Sequence, residues 1–237
     1  MYSGSIGAGK AHEMLKHVKS LKETGFSVAT ISLADPIKKF VSDVFDVNKH
    51  GRIIDAPIDK KVSFEDLVKS FCHYFKSFLE PFDDDNNLID VIIYKTKHLK
   101  TPVESAIQDL PNLKAIRYLY QIIGTDIAHL ISRQFWLFLL QDKIDAIKDE
   151  IDFVFVDDLR FLFEFLLLRE YYFKKIDVEA FYVDASEEVR AKRRNLTVNE
   201  LKLQSEHVSE KESVRVIKPY IQLYFPNNVI NNNGGLK

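Results

Sequence analysis

Gly4-Ser5-Ile6-Gly7-Ala8-Gly9-Lys10, followed by Ala11-His12-Glu13, is the stretch that decides how the chain reads. Glycine, four residues, glycine, lysine is the spacing of a phosphate-binding loop, in which residues without a Cβ let successive backbone N–H groups turn inward around a polyphosphate. Lys10 supplies the positive charge in that reading. A helix from Ala11 to about Glu23 would aim its N-terminal dipole and unpaired amides at the same phosphates. Such a loop ordinarily continues Lys-Ser or Lys-Thr, because the hydroxyl ligates magnesium, whereas this chain has Ala11. The plain alternative is a glycine-rich start to a helix, and the rest of the chain has to choose.

Outward from the loop, the pattern alternates helix and strand. Only Met1, Tyr2 and Ser3 precede Gly4, against about five residues for a central strand. The expectation is a clipped first strand, with the start of the natural chain upstream of this Met. Gly25 reads as a helix C-cap, and Phe26 to Leu33 is a β-branched run suited to a buried parallel strand. Asp35-Pro36 then opens a second helix, which on local grounds is a good helix start and nothing more. Helix, strand, helix in this order is the beginning of an α/β protein.

The part from about Asn48 to Leu113 is the least regular and reads as an insertion covering one edge of the core. Ser63-Phe64-Glu65-Asp66 has a capping-box pattern opening a helix through Phe71, Tyr74, Phe75 and Phe78. Pro81 and the tract Asp83 to Asn87 break it as an exposed loop, and Leu88 to Tyr94 fits a strand or a short helix equally. Pro111 starts a helix interrupted at Gly124-Thr125, and a second carries Arg133, Phe135 and Trp136.

Ile151 to Val156 is a buried-strand pattern ending in Asp157-Asp158-Leu159-Arg160. Carboxylates at the C-terminal tip of a parallel strand stand where open α/β sheets bind ligands, and where a phosphate-loop enzyme keeps its magnesium-directing aspartate; the alternative is an exposed acidic turn. The next helix, Phe161 to Phe173, is apolar on nearly every side except at Glu164, which demands a partner or a cleft. Val178 to Val183 is another strand, and Ser186 caps a helix whose Arg190, Lys192, Arg193 and Arg194 form either a solvated face or an anion site. Asn195 to Glu212 reads as a polar flap, and Tyr220 to Phe225 with Val229-Ile230 as the last strand.

Composition narrows the function classes. The chain has 237 residues, is 46% hydrophobic and carries a net charge of -2, so it can bury a sizeable core and has no global attraction for nucleic acid or an anionic membrane. A single cysteine excludes an internal disulfide and fits a reducing compartment. No run of about 18 apolar residues and no secretion signal is present, which makes the cytoplasm the expected location. The histidines show no metal-ligand spacing.

Taken together, the pieces resemble the deoxynucleoside monophosphate kinases of bacteriophages, a branch of the phosphate-loop small-molecule kinases. The resemblance spans nearly the whole chain in order: the loop ending at Lys10, Ala34-Asp35-Pro36-Ile37-Lys38, and Gln121 to Thr125 with Arg133 and Trp136. It continues through Asp158 to Phe161 with Glu164, Val189 to Arg194, His207 to Glu210, and Ile230 to Gly235. It implies a P-loop NTPase three-layer sandwich with a parallel sheet, a helical insertion for the monophosphate and a lid. On chain numbers, the core is 1–46, 111–190 and 213–237, the insertion 47–110 and the lid 190–212.

The implied reaction is ATP-dependent phosphorylation of deoxynucleoside 5′-monophosphates, with magnesium. The resemblance implies that Gly7, Gly9, Lys10, Ala11 and His12 hold ATP. It assigns Ile37, Lys38, Gly124, Thr125, Arg133, Trp136, Arg160 and Glu164 to the acceptor, and Asp158 to the metal. Lys10, Asp158, Arg160, Arg190 and Arg194 are the expected catalytic charges, because two anionic phosphates must be brought together against their repulsion. A homodimer and, for a viral protein, the host cytoplasm are expectations of the family alone. The departure at Ala11 leaves two alternatives open: a nucleotide-binding protein that has lost catalysis, or another phosphate-loop kinase such as one acting on dephospho-coenzyme A.

Overall fold

The computed structural model describes residues 1–45, 62–79, 87–110 and 112–234. Most of the expected acidic tract, with Pro81, Pro111 and Gly235, lies outside the described residues. In chain order the elements are β1 (Tyr2–Ser3), α1 (Lys10–Glu23), β2 (Val28–Ser32), α2 (Asp35–Phe45), α3 (Phe64–Tyr74), α4 (Lys76–Leu79), α5 (Leu88–Thr96), α6 (Lys100–Gln108) and α7 (Leu113–Gln121). A π-helical stretch Ile122–Ile127 leads into α8 (Ala128–Ile131), then α9 (Phe135–Asp145), β3 (Phe153–Asp157), α10 (Leu162–Tyr171), β4 (Phe181–Asp184), α11 (Glu187–Arg193), α12 (Val198–Gln204) and α13 (Val208–Glu212). A second π-helical stretch, Ser213–Ile217, continues into α14 (Lys218–Tyr224), and β5 (Val229–Asn231) follows. The chain divides into two compact units, one of Met1–Leu33 with Leu137–Lys237 and one of Ala34–Trp136.

The first unit holds all the described strands, and every described pairing is parallel. β2 runs in register with β3 from Val28 opposite Phe153 to Ser32 opposite Asp157. β4 pairs with β1 on one side and β5 on the other. The two ladders meet just beyond β3, where Leu159 N donates to Tyr2 O (3.0 Å) and Ser3 Oγ donates to Leu159 O (2.9 Å). Read across that seam the order is β2, β3, β1, β4, β5. Parallel strands all end on one edge, so the glycine loop after β1 and the acidic turn after β3 arise side by side.

The core forms because α1 presents Met14 and Val18, one turn apart, to the sheet, where they pack with Tyr2, Ala8, Val183 and Ala185. Met14, Val18 and Val183, removed from water, each contribute about 1.5–3 kcal/mol before chain entropy is counted. Tyr2, although in a two-residue strand, stacks on Phe181 at 5.0 Å and its hydroxyl hydrogen-bonds His17 Nδ1. A smaller cluster of Ile6, Ala191 and Leu201 ties the loop to α11 and α12.

The second unit is helical. Ser63 and Asp66 form the expected reciprocal cap of α3. Its interior is aromatic: Phe40 lies 5.7 Å from Phe71, Phe75 5.3 Å from Phe135, and Phe135 4.9 Å from Trp136, in edge-on arrangements that suit the ring quadrupoles.

Four local expectations are corrected. Tyr220 to Tyr224 is helical: Ser213, Ile217 and Ile221 are buried at every fourth position while Pro219 and Leu223, which a strand would bury on the same face, are exposed. Gly124-Thr125 widens the helix into a π turn instead of interrupting it. Arg133 precedes α9 and does not ride on it. Val178 to Ala180 lies ahead of β4, which starts at Phe181. The undecided run at Leu88 is a helix.

Candidate functional site

The loop between β1 and α1 turns only because of its glycines. Gly4 has φ +148° and an added Cβ would stand 2.4 Å from Val183 O, while Gly9 has φ +90° and a Cβ there would meet Asn232 Nδ2 at 2.5 Å. Both positions combine a backbone shape unfavourable to L side chains with a neighbour already in place. Gly9 is the N-cap of α1 and the first helical bond is Glu13 N to Gly9 O (3.1 Å), so the amides of Lys10, Ala11 and His12 precede the intrahelical ladder. Ala11 is exposed and His12 half-buried.

Lys10 curls back into this loop. Its Nζ donates to Gly4 O (2.9 Å) and stands 4.0 Å from Asp158 Oδ1. Burial, then the nearby Arg160 cation, lower its pKa, and the surrounding carboxylates work against that shift. The loop lysine and the β3 tip therefore lie side by side.

Asp158 sits at φ +64°, a left-handed turn that redirects the chain as it leaves β3. Arg160 then reaches two carboxylates, donating from Nη2 to Asp158 Oδ1 (2.9 Å) and from Nη1 to Glu210 Oε1 (2.6 Å). Burial alone would lower the Arg160 pKa, but Asp158 and Glu210 outweigh it and hold the guanidinium firmly charged. Glu210 also accepts from Ile6 N through Oε2 (2.9 Å), so α13 touches the glycine loop directly. Glu164, which the sequence marks as needing a partner, accepts from the Arg160 and Phe161 amides (2.8 and 2.9 Å) and caps its own helix. Burial pushes its carboxyl up to about 7.

Helix α11 brings its cations to the outer side of the loop. Arg190 is buried and donates to Ile6 O at 3.4 Å. Arg193 donates to Ala8 O (2.9 Å), Asn232 O (2.8 Å) and Gly234 O (2.6 Å), while Asn232 Nδ2 donates to Ala8 O (2.9 Å). Arg194 lies exposed just past the helix end. A cleft of about 310 Å³ beside the loop is lined by Ser5, Arg190, Glu210, Lys202, Lys211 and Arg215 among others.

In the helical unit, Ile37, Gly124 and Trp136 come together. A Cβ on Gly124 would lie 2.8 Å from Ile37 Cδ1, and Trp136 Nε1 donates to Gly124 O (2.7 Å), a carbonyl in the π turn. Trp136 is 5% exposed and packed among Phe71, Phe75 and Phe135, so it buttresses the turn. Thr125 is half-buried, Lys38 faces Asp35 at 3.6 Å, and Arg133 is exposed. Burial first, and the Arg133 charge second, lower the pKa of His129 to about 4.

Glu210 and Asn232 are side chains that motif reading gave no role, and Arg193 is one that it placed only within a cationic cluster. All three lie in stretches that carry the family resemblance, yet only the fold shows that they converge on residues 6–8.

Parallel strands flanked by helices make this a mixed α/β protein, an architecture consistent with a kinase fold. A sequence-family model described as deoxynucleotide monophosphate kinase matches residues 17–190, and the chain belongs to that family. No curated protein matches it. The matched span takes in α2, the π turn and β3 through Glu164, and ends at Arg190; the glycine loop and Asn232 lie outside it. Among the described residues no helix is long and apolar enough to cross a membrane.

Proposed function

We propose that the protein phosphorylates deoxynucleoside 5′-monophosphates with ATP, using a P-loop kinase core. The observation that carries the reading is the 4.0 Å approach of Lys10 Nζ to Asp158 Oδ1, because it joins the loop to the strand tip in one site. In the proposed step an oxygen of the acceptor's 5′-phosphate attacks the γ-phosphorus of ATP. The bond to the β,γ-bridging oxygen breaks, giving ADP and a deoxynucleoside diphosphate.

The backbone of Gly7 and Gly9, Lys10, and the amides of Ala11 and His12 hold the ATP phosphates. Arg160 neutralises the acceptor phosphate, with Glu164 fixing the backbone that carries it. In the helical unit, Ile37, Lys38, Gly124, Thr125, Arg133 and Trp136 serve the acceptor nucleoside. Residues 190–212 act as the lid. Its Arg194, exposed beyond α11, serves phosphoryl oxygens in this reading, whereas Arg190, expected beside it as a catalytic charge, is buried on Ile6 O and keeps the loop in shape.

Magnesium suits this donor set. The ion keeps several waters and takes one or two carboxylates together with phosphate oxygens, and Asp158 stands at the β3 tip beside Lys10. Among the described residues no larger cluster of ligating side chains competes for it. Bound there, it would neutralise phosphate charge.

The test is ADP formation from ATP with each deoxynucleoside monophosphate in turn. Acceptor-dependent turnover that Lys10→Ala abolishes is expected; a folded sample with no such turnover rejects the proposal. Ala11 favours a second reading, a relative that binds nucleotide without transferring phosphate. Binding without turnover that persists in Ala11→Ser supports it, whereas turnover that rises in Ala11→Ser supports the kinase. Competition between deoxynucleoside monophosphates and dephospho-coenzyme A separates the kinase classes, and the family match favours the nucleotide.

A further inference from the structure

Ile6 is held on every side. Its side chain is buried with Ala191 and Leu201, its carbonyl accepts from Arg190, and its N–H points into the protein to Glu210 Oε2. One amide of the glycine run is therefore turned away from any ligand, which fixes the plane of the Ser5–Ile6 peptide. The other oxygen of the same carboxylate fixes one arm of the Arg160 fork, whose second arm is on Asp158. Glu210 is 2% exposed, and α13 is set in place by its N-cap His207, whose ring accepts from Ser209 N.

We infer that Glu210 is a positioning residue of the glycine loop, and that nucleotide binding there depends on one of its oxygens staying on the Ile6 N–H while the Arg160 guanidinium claims the other, a double demand that only an ionised carboxylate meets. The inference rests on reading the loop as a nucleotide cradle. Its chemistry is specific to an ionised carboxylate. Glutamine offers one acceptor oxygen and an NH₂ group, so whichever way its amide is turned, an N–H confronts either the Ile6 amide or the Arg160 guanidinium. The conflict is buried, where an unmatched donor pair is most costly.

The experiment measures ADP binding by calorimetric titration of the full chain as wild type, Glu210→Gln, and Arg160→Ala combined with Glu210→Gln. Glu210→Gln should weaken ADP by about tenfold, the scale of one lost hydrogen bond to a charged group. The double variant should recover most of that loss, because the glutamine oxygen is then free to serve Ile6 while its NH₂ no longer faces a guanidinium. A side chain that only filled space would not be rescued by deleting a second one. Wild-type affinity in Glu210→Gln overturns the inference, as does a double variant that binds no better than the single one. Should Glu210→Gln fail to fold, the double variant decides: folding with ADP binding upholds the inference, and failure overturns it. A wild type that binds no ADP sinks the functional reading itself, whereas wild-type binding with unchanged variants sinks only the role of Glu210.

Discussion

Arg160 and Glu210 meet at 2.6 Å, with Glu210 almost wholly out of water and the second arm of Arg160 on Asp158 at 2.9 Å. With Lys10 beyond Asp158, charges alternate in sign from α1 to α13. A network of this kind orients its members more than it stabilises the fold, since burial offsets much of the Coulombic gain. Removing one member is different, because its neighbours stay buried without compensation.

Arg160→Ala should therefore destabilise the protein by about 3 kcal/mol, by stranding Glu210 and Asp158. Adding Glu210→Gln should return part of that loss by removing the buried charge. Urea unfolding checks both, with the slope held constant. An Arg160→Ala midpoint equal to wild type would place this pair among ornamental surface contacts.

Gly4→Ala should be the more damaging of two loop substitutions. Its Cβ would press on a backbone oxygen of β4, while that of Gly9→Ala meets a side-chain amide that can shift. The expected costs are on the order of 2–4 kcal/mol for Gly4→Ala and 1–3 kcal/mol for Gly9→Ala, combining backbone strain with overpacking. Thermal unfolding ranks them, and the reverse order would contradict the packing described here.

Gly124→Ala should cost about 1–3 kcal/mol by crowding Ile37. The obstructing atom is the flexible end of a side chain, so Ile37→Val, which removes Cδ1, should relieve most of the penalty in the double variant. A double-mutant cycle on unfolding free energy measures the coupling. Simple additivity would mean that the two residues do not touch.

Glu164 gives a pH signature. Its carboxyl moves from the usual 4.5 up to about 7 through burial. Between those values the folded protein keeps a proton that the unfolded chain releases. The stability contributed by this group therefore falls as pH rises through that window, and stays low above it. Glu164→Gln accepts from the same two amides without ionising. Its melting temperature should gain on wild type between pH 5 and about pH 8, by an amount on the order of a few kcal/mol in stability. Calorimetric scans across that range test the sign, and a pH-independent difference would refute it.

What the sequence carried by itself is whatever depends on neighbours along the chain. The Gly4 to Lys10 spacing announces a loop and a helix, Ser63 and Asp66 announce a cap, and the apolar runs before Asp157 and Asp184 announce strands. Chain-local signals failed where burial chose between two periodicities. Tyr220 to Tyr224 joined a helix in which Ser213, Ile217 and Ile221 are buried at every fourth position and Pro219 between them is exposed, and the helix at Gly124 widened into a π turn whose Gly124 carbonyl accepts from Trp136. Only the tertiary structure decided which cations and carboxylates touch the loop. The partners of residues 6 to 8 come from positions 190, 193, 210 and 232, contacts across nearly the whole chain that no local spacing encodes. They form because a parallel sheet gathers the ends of all its strands on one edge, and side chains remote in sequence must then satisfy the polar groups that meet there.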